Sequence, residues 1–175
     1  MGSNRGERET TLACALRRLG ELLGPLTVAS LYRTAPLRSP GGRGAPLLQR
    51  DFLNTAAIGA THLAPDHLLA AGKALELAAG RRRGPRDTPR PLDVDLLLYG
   101  ERVAENPELT LPHPGLQHRR FVLAPLAEIA AGWRVPPGGE TVAELLERTG
   151  DASRVERIAW SPGALARLAE VHRAP

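Results

Sequence analysis

The sequence predicts an α+β sandwich from three observations: leucines at helical spacing near the N-terminus, short alternating runs rich in β-formers, and an alternation of the two segment types with no repeat period. At 175 residues and 42% hydrophobic content, the chain suits a single domain, residues 1–175, with one core. Leu12, Leu16, Leu19 and Leu23 share one helical face, and Gly24-Pro25 stops that helix. Residues 26–34 alternate and read as a strand. Pro36, Pro40, Gly41, Gly42, Gly44 and Pro46 then make 35–50 a long loop. FLNTAAIGAT, 52–61, resumes as a strand. Pro65 opens a second helix with Leu68, Gly72, Leu75 and Ala79 on its inner face and Gly80 closing it. Residues 92–100, LDVDLLLYG, read as a third strand, and 121–130 as a helix. Thr141 with Glu144 forms a capping box for a short helix ending near Thr149. Beyond Gly150 a VERIAW run and a helix-like segment carry no functional signal.

Composition removes several classes. The charged fraction is 24%, Cys14 is the one cysteine, and no apolar run approaches the roughly 18 to 20 residues of a membrane span. A disulfide scaffold, a transmembrane protein and a long disordered tail are excluded. Cys14 sits in an amphipathic stretch and is expected as a small buried thiol in a reducing, cytoplasmic setting. The start, MGSNRGERE, has neither the apolar segment of a signal peptide nor the Ser or Thr at position six that acylation of Gly2 requires. His62, His67, His118 and His172 form no metal-ligand spacing and are expected at the surface.

The net charge is +4, and Lys73 is the only lysine. Base composition of the gene explains this arginine bias as well as any chemical need does. Where arginines cluster, though, each brings a planar set of donors that matches phosphate oxygens two at a time. The cluster is RRRGPRDTPR, with Arg81, Arg82, Arg83, Arg86 and Arg90. Read alone, it is a solvated loop or a nucleic-acid patch.

Asp93 and Asp95 are the sharpest local signal. Two apart on a strand, they share a face about 6.6 Å apart along the backbone. Unpaired, they repel by roughly 2.5 kcal/mol at an effective dielectric near 20. A divalent cation removes that conflict, and hard oxygen donors suit magnesium completed by water and phosphate. A solvent-facing strand edge explains the same spacing equally well. The arginine loop feeds directly into this strand, an arrangement that fits a polyphosphate held by Mg²⁺ and guanidinium groups. No Walker A sequence, GxGxxG, CxxC, HExxH or GxSxG is present, which leaves P-loop kinase, hydride-transfer, zinc and serine-hydrolase chemistry without support.

The segments YRTAPL (32–37), DFLN (51–54), ELAAGR (76–81), RPLDVDLLLYG (90–100) and LPHPGLQHRRFVLAPLAEIA (111–130), in that order and spacing, closely resemble 6-hydroxymethyl-7,8-dihydropterin pyrophosphokinase of folate biosynthesis. The resemblance covers about residues 1–149. It implies a ferredoxin-like α/β sandwich with a mainly antiparallel sheet, and transfer of the pyrophosphoryl unit of ATP to the pterin hydroxymethyl group with release of AMP. By matching position, Asp93 and Asp95 would hold two Mg²⁺ ions. Arg81, Arg83 and Arg90 match the arginines of the loop that closes over ATP, while Glu76, His113 and Arg119 match nucleotide and phosphate contacts. Arg81, Arg90, Asp93 and Asp95 would carry the chemistry. Phe52 and Phe121 match the aromatics that sandwich the pterin, Asn54 matches a partner of its edge, and Thr34 and Leu37 complete the pocket through backbone and packing. Core packing is the competing explanation for each Phe. No residue stands out as a strong base, and transfer through a loose transition state needs little early proton removal. Closure of the 35–50 and arginine loops over the ligands is expected to exclude water, with both loops mobile in their absence.

Four departures follow from the comparison with the family pattern. The pattern has an apolar strand ahead of Gly-Ser-Asn, whereas here Met1 directly precedes Gly2-Ser3-Asn4, so a first strand is missing from this chain and an assigned start downstream of the true one is the favoured explanation. The arginine loop is short and lacks a tryptophan, with Thr88 near its place, and Pro114 stands where an aromatic occurs. A monomer acting on small molecules, ATP and the dihydropterin alcohol, is expected, with neither nucleic acid nor membrane as partner. Two alternatives stay open: a truncated, inactive homologue, and a basic ferredoxin-like RNA-binding module, although such modules display aromatics on the sheet.

Overall fold

The computed structural model describes residues 1–36, 49–82 and 88–169. Strand β1 (Gly2–Ser3) leads into helix α1 (Arg8–Leu23), then strands β2 (Leu26–Val28), β3 (Leu31–Thr34), β4 (Phe52–Asn54) and β5 (Ala57–Gly59). Helix α2 (Pro65–Ala78) follows, then β6 (Ala104–Glu105) and β7 (Thr110–Leu111). Helix α3 (Arg120–Ala130), β8 (Arg134–Val135), β9 (Glu140–Thr141), α4 (Val142–Arg148), β10 (Val155–Ile158) and α5 (Pro162–Ala169) complete the order. Predicted residues Leu37, Arg83, Arg86 and His172 lie outside the described residues, as do 37–48 of the long loop and 83–87 of the arginine loop.

The fold is α+β with antiparallel sheets. A four-stranded sheet runs in the order β1-β4-β3-β10, and β2-β5, β6-β7 and β8-β9 form two-stranded pairs. Strand alternation divides the core. Leu31 and Leu53 point to one face, where they meet Leu12 and Ala15 of α1 together with Leu92 and Val94. Helix α2 crosses at the same face: a Cβ on Gly72 would come within 3.1 Å of the Val94 side chain, so the small residue permits the approach. On the other side Leu123, Leu126 and Ala130 of α3 pack with Val142 and Leu145 of α4. The capping box forms, with the Thr141 hydroxyl accepting from the Glu144 N–H at 3.2 Å and the Glu144 carboxylate accepting from the Thr141 N–H at 2.7 Å.

The strand readings need three corrections. The predicted 26–34 strand breaks at Ala29 and Ser30, because the Ser30 N–H donates to the Glu128 carboxylate instead of to a strand. The 52–61 strand breaks at Thr55 and Ala56, where the Thr55 N–H bonds to the Met1 carbonyl. The 92–100 strand is reduced to one bridge, Gly2 with Asp93, closed by bonds of 2.9 and 2.8 Å. Beyond that bridge the Val94 N–H turns to the Glu76 carboxylate at 2.8 Å and the Leu97 carbonyl accepts from the His113 N–H at 2.9 Å, so no further ladder rung forms among the described residues.

Cys14 is half-buried, whereas its neighbours Ala13 and Ala15 are buried. His62, His67 and His118 are exposed, as expected. The C-terminal segment forms regular structure: β10 pairs with β3, Val155 opposite Thr34 through Ile158 opposite Leu31, and α5 packs on α1. Glu128 of α3 fastens this edge, accepting from Tyr32 Oη at 2.9 Å, from Ser30 Oγ at 2.8 Å and from Arg157 at 2.7 Å.

Candidate functional site

Because Leu92 and Val94 enter the core beside α1, Asp93 and Asp95 turn to the opposite side of the chain. There both line a cavity of about 200 Å³ with Thr34, Phe52, Asn54, Arg90, Arg119 and Phe121. Strand β4 contributes Phe52 and Asn54 from one face, and the start of α3 contributes Phe121. One cavity thus gathers two carboxylates, two phenyl rings and two arginines from segments far apart in sequence.

The aromatic end combines a neutral hydrogen bond with one cation over a ring. Asn54 Nδ2 donates to the Thr34 hydroxyl at 2.9 Å, both residues being buried. That orientation puts Asn54 Oδ1 beside Gly2. The Thr34 hydroxyl is thereby engaged by Asn54 within the protein. A Cβ on Gly2 would approach Asn54 Oδ1 to 2.7 Å, so only glycine leaves the amide its place. The Arg119 guanidinium carbon lies 5.8 Å from the Phe121 ring centroid. It packs against Gly115, where a Cβ would meet it at 3.0 Å.

Charge organises the other end. Asp93 Oδ1 accepts from Arg81 Nη1 at 2.5 Å and Asp93 Oδ2 from Arg90 Nη1 at 2.8 Å. Burial pushes the Asp93 carboxyl up, but the two guanidiniums outweigh it and hold the group below its ordinary value. Burial likewise lowers Arg81, and Asp93 and Glu76 outweigh that effect and raise it. Among the described residues Asp95 has no arginine pair, and its ionic partner is His113 Nε2, 3.9 Å from Oδ1. His113 Nδ1 accepts from the Gly115 N–H at 3.0 Å, which assigns any proton of the neutral ring to Nε2, on the Asp95 side.

Glu76 is 3% exposed. Its Oε1 accepts from the Val94 N–H at 2.8 Å and pairs with Arg81 Nη1 at 2.6 Å, with Lys73 Nζ at 3.2 Å. Glu76 and Arg81 border a second, wider cavity of about 1090 Å³ that also carries Arg5, Arg50 and Arg82, and Arg90 borders both cavities. Leu37 and Arg83 lie outside the described residues.

Sequence reasoning missed two supports. Gly2 makes room for Asn54, and Asn4 fixes Arg90: its Oδ1 accepts from the Arg90 N–H at 2.6 Å and its own N–H donates to the Arg90 carbonyl at 3.0 Å. The Gly-Ser-Asn run was the available signal for both. The donor set suits magnesium. Asp93 and Asp95 offer hard oxygens to one cavity, and among the described residues no cluster of three His, Cys, Asp or Glu forms a protein cage. Two carboxylates completed by water and phosphate are what magnesium accepts.

A family model described as 7,8-dihydro-6-hydroxymethylpterin-pyrophosphokinase matches residues 1–131. A 2-amino-4-hydroxy-6-hydroxymethyldihydropteridine pyrophosphokinase of Synechocystis sp. is 44% identical over 150 residues, which is 85% of this chain and 73% of that protein. The protein of the same description from Pseudomonas aeruginosa is 39% identical over 166 residues, 94% of this chain and 95% of its own length. The mitochondrial folate synthesis bifunctional protein of Arabidopsis thaliana is 36% identical over 170 residues, 89% of this chain and 29% of its own. With the carboxylate pair and the two phenyl rings meeting in one cavity, the chain belongs to the 7,8-dihydro-6-hydroxymethylpterin-pyrophosphokinase family.

Proposed function

We propose that the protein transfers the pyrophosphoryl unit of ATP to the hydroxymethyl group of 6-hydroxymethyl-7,8-dihydropterin, giving AMP and the pterin diphosphate, as a step of folate biosynthesis. The observation that carries this reading is the single cavity shared by Asp93, Asp95, Phe52, Asn54 and Phe121. Phe52 and Phe121 take the flat ring between them. Asn54 Oδ1 accepts from the amino edge of the pterin, its amide held by Thr34. Arg81, Arg90 and Arg119 grip phosphate oxygens, with His113 Nε2 beside them. Asp93 and Asp95 would hold two magnesium ions, which when bound would neutralise charge on the phosphates. Glu76 serves ATP binding through Arg81, and Leu37 and Arg83 enter this reading by sequence position alone. The hydroxymethyl oxygen forms a bond to the β-phosphorus as the bond from that phosphorus to the AMP oxygen breaks, and the hydroxyl proton passes to water as the new ester bond forms. Alignment and charge stabilisation carry the rate, so no strong base is required.

The same reading places a monomeric, single-domain enzyme in the cytoplasm, acting on small molecules rather than on nucleic acid or membrane. No described helix is long and apolar enough to cross a membrane. The packing of β10 on β3 and of α5 on α1 supports one domain. The ferredoxin-like arrangement has room for a further strand between β5 and residues 94–99. A cavity of about 480 Å³ there is lined by Leu19, Leu23, Ile58, Leu68, Leu97 and Leu126, and neither flanking edge has a strand partner among the described residues.

The test is AMP formation from ATP and the dihydropterin alcohol, with and without magnesium, in the native protein and in Asp95→Ala. Magnesium-dependent AMP is expected, falling about 10³-fold or more in the variant. No AMP from the native protein, with polyanion binding kept or strengthened in Asp95→Ala, would instead identify a binding module.

A further inference from the structure

The two aspartates are not equivalent. Both oxygens of Asp93 are taken, Oδ1 by Arg81 at 2.5 Å and Oδ2 by Arg90 at 2.8 Å, whereas among the described residues Asp95 has one ionic partner, His113 at 3.9 Å. The groups that close Asp93 are the ones a polyphosphate would attract. Their alternatives also differ. Arg81 Nη1 lies 2.6 Å from Glu76 Oε1, so it keeps a partner if it leaves Asp93. Arg90 has its backbone fixed by Asn4 and a side chain that borders both cavities, so it can turn from Asp93 without moving the chain.

We infer that Arg81 and Arg90 act as a lock on Asp93, so that a divalent cation reaches this carboxylate only when an incoming polyphosphate draws the two guanidiniums away. Cation and nucleotide therefore load together: each arginine exchanges a carboxylate for a phosphate, and the freed carboxylate exchanges arginine for the metal. Charge stays balanced at every stage, which avoids leaving a partly buried Asp93 unpaired. In the absence of nucleotide the protein is a poor cation site despite its two carboxylates.

This inference rests on the reading that the cavity takes a magnesium-bound triphosphate. AMP formation tests that reading, while cation binding without nucleotide tests the lock. The experiment is titration of the nucleotide-free protein with Mn²⁺, free Mn²⁺ being read by electron paramagnetic resonance, in the native protein, Arg90→Gln and Arg81→Gln. Removing either guanidinium is expected to tighten Mn²⁺ binding by roughly three- to ten-fold, since a competing charge-assisted bond is lost. Arg119→Gln removes the same charge from the same cavity without freeing Asp93 and is expected to change the affinity less than about two-fold. The sign is diagnostic, because damage to the fold weakens cation binding rather than tightening it. If neither Arg90→Gln nor Arg81→Gln binds Mn²⁺ more tightly than the native protein, or if Arg119→Gln tightens it equally, there is no lock.

Discussion

The aromatic end and the carboxylate end of the cavity are built on opposite terms. At the aromatic end Asn54 is fixed by one neutral hydrogen bond to Thr34 and by the bare backbone of Gly2. At the carboxylate end Asp93 is bound on both oxygens by arginines proposed to hold phosphate. One half of the site is pre-formed, and the other half satisfies its own charges until ligands replace them. The difference follows from desolvation: a neutral amide can wait at the edge of a cavity, whereas a partly buried carboxylate left unpaired is costly.

Substitutions sharpen this contrast. Gly2→Ala strikes the pre-formed end hardest, because the added methyl falls 2.7 Å from Asn54 Oδ1 and the amide must turn away. Misplacement on the ångström scale costs about 10²-fold, so the pterin KM is expected to rise by roughly 10- to 100-fold with the ATP KM unchanged. An equal rise in both constants would mean that the two ends are not independent. Thr34→Val acts more gently, leaving Asn54 Nδ2 buried without its acceptor. Loss of about 1 to 3 kcal/mol of stability is expected, with a several-fold weaker pterin affinity by calorimetry.

The smallest effect lies away from both ends, at the Glu128 brace. Burial and the hydrogen bond to Glu128 push Tyr32 up to about 12 from its ordinary 10. Between those values the unfolded chain has lost the phenolic proton while the folded one keeps it, so this contribution is whole below pH 10 and fades as pH rises toward 12. Tyr32→Phe should flatten the fall in urea midpoint between about pH 9 and 11.5. An unchanged alkaline slope would remove Tyr32 from the brace.

Local signals were legible, and partnerships across the chain were not. The leucines of α1, the proline start of α2 and the Thr141–Glu144 box each act within a few residues, and each formed as read. Residues 92–100 have strand composition, yet a strand needs a neighbouring strand, and among the described residues Asp93 alone forms a bridge, to Gly2. The common face of Asp93 and Asp95 was readable from alternation. Their unequal pairing was not, because it depends on where α2 ends and where Asn4 holds Arg90. One clue was available and went unused: Glu76 lies four residues after Gly72, on the same inner stripe of α2, so its burial was implied by the helical period.

The central claim is transfer of a two-phosphorus unit, and positional labelling of ATP tests it most directly. ATP labelled separately at the β- and γ-phosphorus is incubated with the dihydropterin alcohol and magnesium, and the pterin product is isolated. Both labels in that product, with unlabelled AMP remaining, is the expected result. Transfer of the γ-label alone with formation of ADP, or release of both labels as free pyrophosphate, would contradict the account.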